Sequence, residues 1–181
     1  EWPKANTRKV LTPYSDRMIK LMEDPDKFYK PGMRPSGHDI GKGFAKNNGG
    51  AIPSNLLQIP NTESNGGYVA GCKLVGADRH PARFPSKLPE FFIRFLTDPG
   101  DTVLDIFAGS NTTGMVAERE GRRWLAFEDR QDYLAASVFR FLPKETPPEE
   151  MQSAFAAVSS GKSVDLTRYM PQVEMFNTAA E

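Results

Sequence analysis

The chain has 181 residues, 39% of them hydrophobic and 25% charged, a balance that buries the core of one ordinary domain or of one small domain with an appendage. Lys and Arg match Asp and Glu at 23 each, and the single Cys excludes an internal disulfide or a cysteine-based metal site, so Cys72 reads as a small buried side chain. No apolar run approaches the roughly 20 residues of a membrane span, and Glu1-Trp2-Pro3-Lys4 lacks the apolar stretch of a signal peptide, which places the chain in the cytoplasm without a membrane partner.

No period of 20 to 50 residues repeats, so the elements are read one after another. Residues 15–29 (SDRMIKLMEDPDKFY) carry a Ser/Asp start and then Met18, Leu21 and Met22 at helical spacing until Pro25, which predicts one short helix. From 30 to 55 the chain is rich in Gly, Pro, Asn and Ser, and the polar character resumes over 61–67, which reads as a long functional or disordered loop. Ordered α/β character is expected from about Leu88. There Leu88, Phe91, Phe92, Phe95 and Leu96 form the stripe of a helix that buries one face, and Asp98-Pro99-Gly100-Asp101 ends it. Residues 102–107 (TVLDIF) predict a buried parallel strand, 112–120 a helix, 123–127 (RWLAF) a second strand, and 131–142 a second helix with Tyr133, Leu134, Val138 and Leu142 on one side. An amphipathic helix over about 148–158 and a tail without pattern complete the chain.

The informative constellation is Asp105-Ile-Phe-Ala-Gly109-Ser-Asn-Thr-Thr-Gly114, which leaves the first predicted strand and enters a helix, followed by Glu128 at the end of the second strand. Strand, glycine turn, helix, strand and acid is a nucleoside-binding order. Gly109 permits a tight turn and a close approach to the main chain, the amides of residues 110–113 can hold a carboxylate or phosphate, and Glu128 is placed to accept from both hydroxyls of a ribose. The bland alternative is that Gly109 only turns the chain and Glu128 only caps a surface. A dinucleotide needs a second glycine two residues after the first, where this chain has Asn111, so a dinucleotide-dependent oxidoreductase is the weakest of the enzyme readings.

The stretch His80-Pro-Ala-Arg-Phe-Pro-Ser-Lys-Leu-Pro-Glu-Phe-Phe92, then Leu104-Asp-Ile-Phe-Ala-Gly-Ser-Asn-Thr-Thr113, then Phe127-Glu-Asp129 resembles motifs X, I and II of the permuted beta class of DNA amino-methyltransferases. Residues 2–26, 34–41, 47–65 and 133–142 are similar to the cytosine-N4 modification enzymes of restriction-modification systems; the resemblance covers about residues 1–142, and the tail after Pro143 matches only loosely. It implies an α/β fold, the first strands and helices of a Rossmann-like S-adenosylmethionine-dependent methyltransferase, preceded by a loop-rich target-recognition segment. The expected divisions are 1–75 for target recognition, 76–145 for the cofactor-binding half and 146–181 for a C-terminal helix and tail. The cofactor set carried over is Ala82, Arg83, Phe84 and Pro85 from motif X, Asp105, Phe107, Gly109, Ser110, Asn111, Thr112 and Thr113 from motif I, and Glu128 for the ribose. Phe84 is equally a core residue on its chemistry. His80 and His38 have no partner at metal-ligand spacing, and His80 is expected to order the loop.

The family's catalytic motif is Ser/Asp-Pro-Pro-aromatic. Thr12-Pro13-Tyr14 lacks the second proline and Thr146-Pro147-Pro148-Glu149 lacks the aromatic, so both read as turns and no catalytic residue is assigned in this chain. That motif, which in the family holds the amine of a flipped base for direct attack on the sulfonium methyl, is expected from a missing N-terminal part or a separate partner chain. Two parallel strands around one helix also leave open edges and an uncovered face that something else must complete.

Double-stranded DNA is the other expected partner. Residues 1–94 hold 15 Lys/Arg against 9 Asp/Glu, and residues 95–181 hold 8 against 14, so a polyanion would meet the first half. The reading segment would run from about Arg34 to Asn65. Arg34, Lys42 and Lys46 suit phosphates, and Ser36, His38, Asp39, Asn47, Asn48, Asn61, Ser64 and Asn65 offer short donors and acceptors for base edges, unless the loop is merely solvated. The resemblance favours N4 of cytosine in a palindrome such as CAGCTG. An adenine-N6 methyltransferase fragment and a binding-only DNA-recognition module stand as alternatives.

Overall fold

A computed structural model of the chain describes residues 5–28, 42–61 and 66–169. They form two compact units, one over residues 5–57 and the other from Gln58 onward.

In the first unit the Ser15 hydroxyl accepts from Met18 N at 3.3 Å and caps α1 (Asp16–Glu23). The helix stops where the proline was expected to stop it. Asp24 accepts from Lys27 N at 3.3 Å, and Pro25 opens a separate turn, α2 (Pro25–Phe28). Thr12 and Ala51 form an antiparallel bridge through N–H···O bonds of 3.0 and 2.8 Å, tying the start of the unit to the far side of the polar segment.

The second unit starts earlier than the apolar pattern suggests, with α3 (Gly66–Val75). Two glycines at its start and a third at Gly71 disfavour a helix locally. Packing overrides that, because Tyr68 and Cys72 are buried on one side of α3 against Ala136, Val138, Phe139 and Leu142. The last four belong to α6 (Gln131–Ser137) and the 3-10 turn Val138–Arg140 with its continuation. The predicted helix over 131–142 therefore tightens after Ser137, and its most enclosed aromatic is Phe139, off the anticipated stripe. Helix α7 (Pro148–Ser159) closes this cluster with Met151, Ala154 and Phe155, the last stacked on Phe139 at 5.8 Å.

The rest of the unit is a parallel pair of strands, β1 (Thr102–Asp105) and β2 (Arg123–Ala126), with Val103 opposite Trp124 and Leu104 opposite Leu125. Helix α5 (Thr112–Arg119) connects them and α4 (Lys87–Leu96) precedes them. Val103 and Trp124 share a face, and they pack on Val116, Ala117 and Ile93. Among the described residues the sheet is two-stranded, and its other face is bare: Leu104, Leu125 and Phe127 are 60%, 56% and 58% exposed. The expected strands are thus present and parallel but not buried, since a helix covers only one side of them. The stripe on α4 behaves likewise. Pro89 and Ile93, not the predicted Phe92 or Leu96, are its buried residues, and those two are 45% and 41% exposed. No helix among the described residues is long and apolar enough to cross a membrane.

A lattice of ion pairs clamps α4 to α5. Arg94 holds Glu120 with both carboxylate oxygens, at 2.7 and 3.0 Å, and Glu90 pairs with Arg94 and Arg119. Burial alone would raise the Glu120 carboxyl, but the Arg94 hydrogen bonds and the two guanidinium charges outweigh it and hold the group below its usual range. A folded-state value below the unfolded one means that the stabilisation is complete above about pH 4.5 and is lost as pH falls through the lower folded value. Glu120→Gln is expected to cost roughly 1 kcal/mol at pH 7. Urea unfolding at pH 7 and pH 3 checks this, because the gap between variant and parent should narrow in acid.

Candidate functional site

Beyond β1 the backbone keeps pairing for one step, with Phe127 N donating to Asp105 O and Ala108 N to Phe127 O, both at 2.9 Å. The Asp105 carboxylate accepts from Phe107 N at 3.0 Å and turns the chain, leaving Phe107 85% exposed. Residues 108–112 are then all buried. Two of them are left-handed, Gly109 with φ +54° and Asn111 with φ +56°. Asn tolerates that region better than most side chains, and here its side chain is also used: it accepts from Gly114 N at 3.0 Å and caps α5.

Each residue of the turn is held by a different group. Glu128, just past β2, accepts from Gly109 N at 2.7 Å through one oxygen and from Arg130 N at 3.1 Å through the other. Arg140 donates to Ser110 O at 2.6 Å and to Ser110 Oγ at 2.7 Å. Asn111 N donates to Ala108 O at 2.7 Å. The acid and the loop are therefore brought together, as the strand-turn-helix-strand order requires.

The space beside Gly109 is occupied by protein. A Cβ there would lie 3.0 Å from the His80 imidazole. His80 is pinned on three sides: its N–H donates to Tyr68 Oη at 3.0 Å, its carbonyl accepts from Arg83 Nη1 at 2.8 Å, and its ring meets Tyr133 edge-on at 4.6 Å. The 80–85 segment thus reaches the loop through His80. Within it Pro85 is buried, Arg83 and Phe84 are half-buried, and Ala82 is exposed. Thr112 is buried, with its hydroxyl 3.4 Å from that of Ser110, and Thr113 is half-buried.

Tyr68 and Arg140 lay outside the residues anticipated for the site. The Arg140 guanidinium lies over the Tyr68 ring at 4.7 Å, with Arg83 on the same ring at 6.0 Å. Burial lowers Arg140 to about 10, so it stays charged at neutral pH, and burial pushes the Tyr68 phenol up, so it stays protonated. One signal for Arg140 exists in the sequence, a lone cation inside the apolar run Ser137-Val-Phe-Arg140-Phe-Leu142, which must find partners if that run is buried.

Of the DNA-reading residues, Arg34, Ser36, His38, Asp39, Ser64 and Asn65 lie outside the described residues. Lys42 opens a 3-10 turn, Lys42–Ala45, in the first unit, where Lys46 and Asn47 are exposed. The Asn47 side chain accepts from Gly49 N at 2.9 Å, and the neighbouring Asn48 N–H donates to Tyr14 Oη at 2.8 Å. Asn61 is exposed and belongs to the second unit. Of the two proline turns, Pro148 is the first residue of α7, a position where a proline loses no helical bond.

A family model described as DNA methylase matches residues 3–139. The type II methyltransferase M.PvuII of Proteus hauseri is 63% identical over 166 residues, covering 92% of this chain and 49% of that protein. M.ScaI of Streptomyces caespitosus is 31% identical over 144 residues, 74% of this chain and 45% of its own length. Among solved structures, that of PvuII DNA methyltransferase, titled cytosine-N4-specific, superposes with a TM-score of 0.61 and 59% identity over 64% of this chain and 41% of that one. The chain spans about half the length of the curated relatives it matches.

Proposed function

This chain belongs to the DNA methylase family, and from that premise we propose that it is the cofactor-holding part of a site-specific DNA methyltransferase that methylates N4 of cytosine, with S-adenosylmethionine as methyl donor. The observation that carries this reading is the three-point-held loop from Asp105 to Gly114, buried over residues 108–112, with Glu128 beside it, in a chain 63% identical to M.PvuII. The residues fit such a ligand. Glu128 is half-buried at the end of a strand, and each of its oxygens, already taking one N–H, keeps a second lone pair for a ribose hydroxyl. When bound, S-adenosylmethionine supplies an electrophilic methyl group on sulfonium. Glu128 would hold the ribose and Phe107 would offer an apolar face at the mouth, while the motif X residues Ala82, Arg83, Phe84 and Pro85 border the methionine end. Asp105, Gly109, Ser110, Asn111, Thr112 and Thr113 set the loop that carries it. The protein would align donor and amine in the Rossmann-like frame of the family rather than form a covalent enzyme intermediate.

The bare sheet face supports a second part of the proposal. Leu104, Leu125 and Phe127 form an apolar surface on paired strands, and such a surface is normally covered by another layer. Further polypeptide, in the same protein or a partner chain, would cover it and bring the catalytic Ser/Asp-Pro-Pro-aromatic motif. Residues 34–65 would face DNA, with Lys46 and Asn47 on the described part.

Calorimetric titration with S-adenosylmethionine tests the cofactor reading. Binding is expected for the chain, alone or with that polypeptide, and Glu128→Ala is expected to weaken it by about two orders of magnitude through loss of charge-assisted bonds to two hydroxyls. No binding in either state would overturn the reading in favour of a binding-only module. In the assembled enzyme, mass spectrometry of methylated DNA should find N4-methylcytosine; N6-methyladenine instead would overturn the base assignment.

A further inference from the structure

We propose that Arg140 is a positioning residue for the cofactor loop, acting through Ser110. Ser110 sits between two left-handed residues, Gly109 and Asn111, and such a backbone persists only where its surroundings over-determine it. Three groups do so. Two of them, Glu128 on Gly109 and the Asn111 side chain on Gly114, come from the motifs themselves. The third comes from 30 residues downstream, where Arg140 grips the carbonyl and the hydroxyl of the same residue with Nε and one Nη.

That grip needs a planar fork. A carbonyl and a side-chain hydroxyl on one residue present two acceptors side by side, and a guanidinium matches them with two donors at fixed spacing, whereas an ammonium offers a point charge. The placement is costly by itself, since burial lowers the guanidinium to about 10. The Tyr68 ring at 4.7 Å offsets part of that cost. Tyr68 in turn accepts from the N–H of His80, whose ring abuts Gly109, so the same aromatic braces both sides of the turn. A half-buried cation spent on one serine makes sense if the course of residues 109–111 matters before a ligand arrives.

The functional part of this inference rests on the cofactor reading above; the mechanical part does not. Two measurements separate them. Hydrogen exchange at the Gly109 amide, bonded to Glu128, and the Asn111 amide, bonded to Ala108 O, reads the clamp in the ligand-free chain. Titration with S-adenosylmethionine reads its consequence. Arg140→Lys and Arg140→Met are expected to speed exchange at those two amides at least tenfold, leave α4 amides protected, and weaken S-adenosylmethionine binding tenfold or more. Failure of Lys to rescue is part of the expectation. Ser110→Ala, which removes one acceptor, should have a smaller effect that does not add to that of Arg140→Lys, because the two act through one contact.

Unchanged loop exchange in both variants, full rescue by lysine, or strict additivity with Ser110→Ala would each overturn the positioning role. Loss of protection across α4 as well as the loop would also overturn it, by making Arg140 a general part of the core. If the parent chain binds no S-adenosylmethionine either alone or with the further polypeptide, the cofactor reading fails, and the exchange data still decide whether Arg140 clamps the loop.

Discussion

Gly71→Ala is expected to destabilise the second unit by about 2 kcal/mol or more, although alanine is the best helix former and position 71 lies inside a helix. The reason is Phe139. A Cβ on residue 71 would lie 2.3 Å from Phe139 Cγ and 2.6 Å from two further ring carbons, well inside contact distance. Phe139 is 1% exposed and stacked on Phe155, so its ring has no free direction to move in. The propensity gain of about 1 kcal/mol is smaller than the overpacking, and α3 must move away from the turn that carries Arg140. Thermal unfolding should show a fall in midpoint of about 5–10 °C. A cycle with Phe139→Ala checks the cause. Removing the ring costs about 3–5 kcal/mol alone, but adding the methyl at 71 should then cost nothing further; an equal penalty in both backgrounds would refute the steric account.

That glycine also explains why α3 was not legible. Sequence patterning weighs Gly66, Gly67 and Gly71 as loop signals, and the fact that decides otherwise, a ring 68 residues downstream that only a glycine admits, is a tertiary one. Helix α5 and both strands were legible because their signals are local: a β-branched run bounded by glycines for β1, a short apolar run after Gly121 for β2, and an Asn-Thr-Thr start for α5. Their depth was not. A run such as Val103-Leu104 has the composition of a buried strand, yet alternation puts Val103 on the covered face and Leu104 on the bare one, and the composition does not reveal how many layers are present. The same holds for α4, where Ile93 faces the strands and Phe92 and Leu96 face outward. Among the described residues, nothing covers the apolar residues on those outward faces.

At the site, the loop and its acid were legible because a turn, a helix start and a strand end each carry a residue type of their own: glycine, asparagine and glutamate. Glu128 has a further duty that spacing does not show, since it holds the loop through Gly109 N in addition to any ribose it receives. His80 was expected to order the loop, and it stands against Gly109. Arg140 and Tyr68 act across the fold, and their roles follow from packing alone.

The largest functional effect is expected from Gly109→Ala. Two independent costs meet there. An L-residue at φ +54° loses roughly 1–2 kcal/mol relative to glycine. The new methyl would also stand 3.0 Å from two atoms of the His80 ring, and that ring cannot retreat cheaply while Tyr68 holds the His80 N–H, Arg83 holds its carbonyl and Tyr133 meets its edge. The loop is the softer partner, so it is expected to yield, breaking the Gly109 N–Glu128 bond and moving the carboxylate from its place at the end of β2. S-adenosylmethionine affinity should fall more than a hundredfold, while the cluster of α3, α6 and α7 keeps its stability, because the nearest atoms a methyl at position 109 would meet belong to the His80 ring and not to that cluster. A second change divides the two costs. His80→Ala in the Gly109→Ala background opens the space but leaves the dihedral, so it should recover part of the affinity and not all of it. Wild-type affinity in Gly109→Ala would mean that the loop needs neither its left-handed turn nor its contact with His80 to receive a ligand.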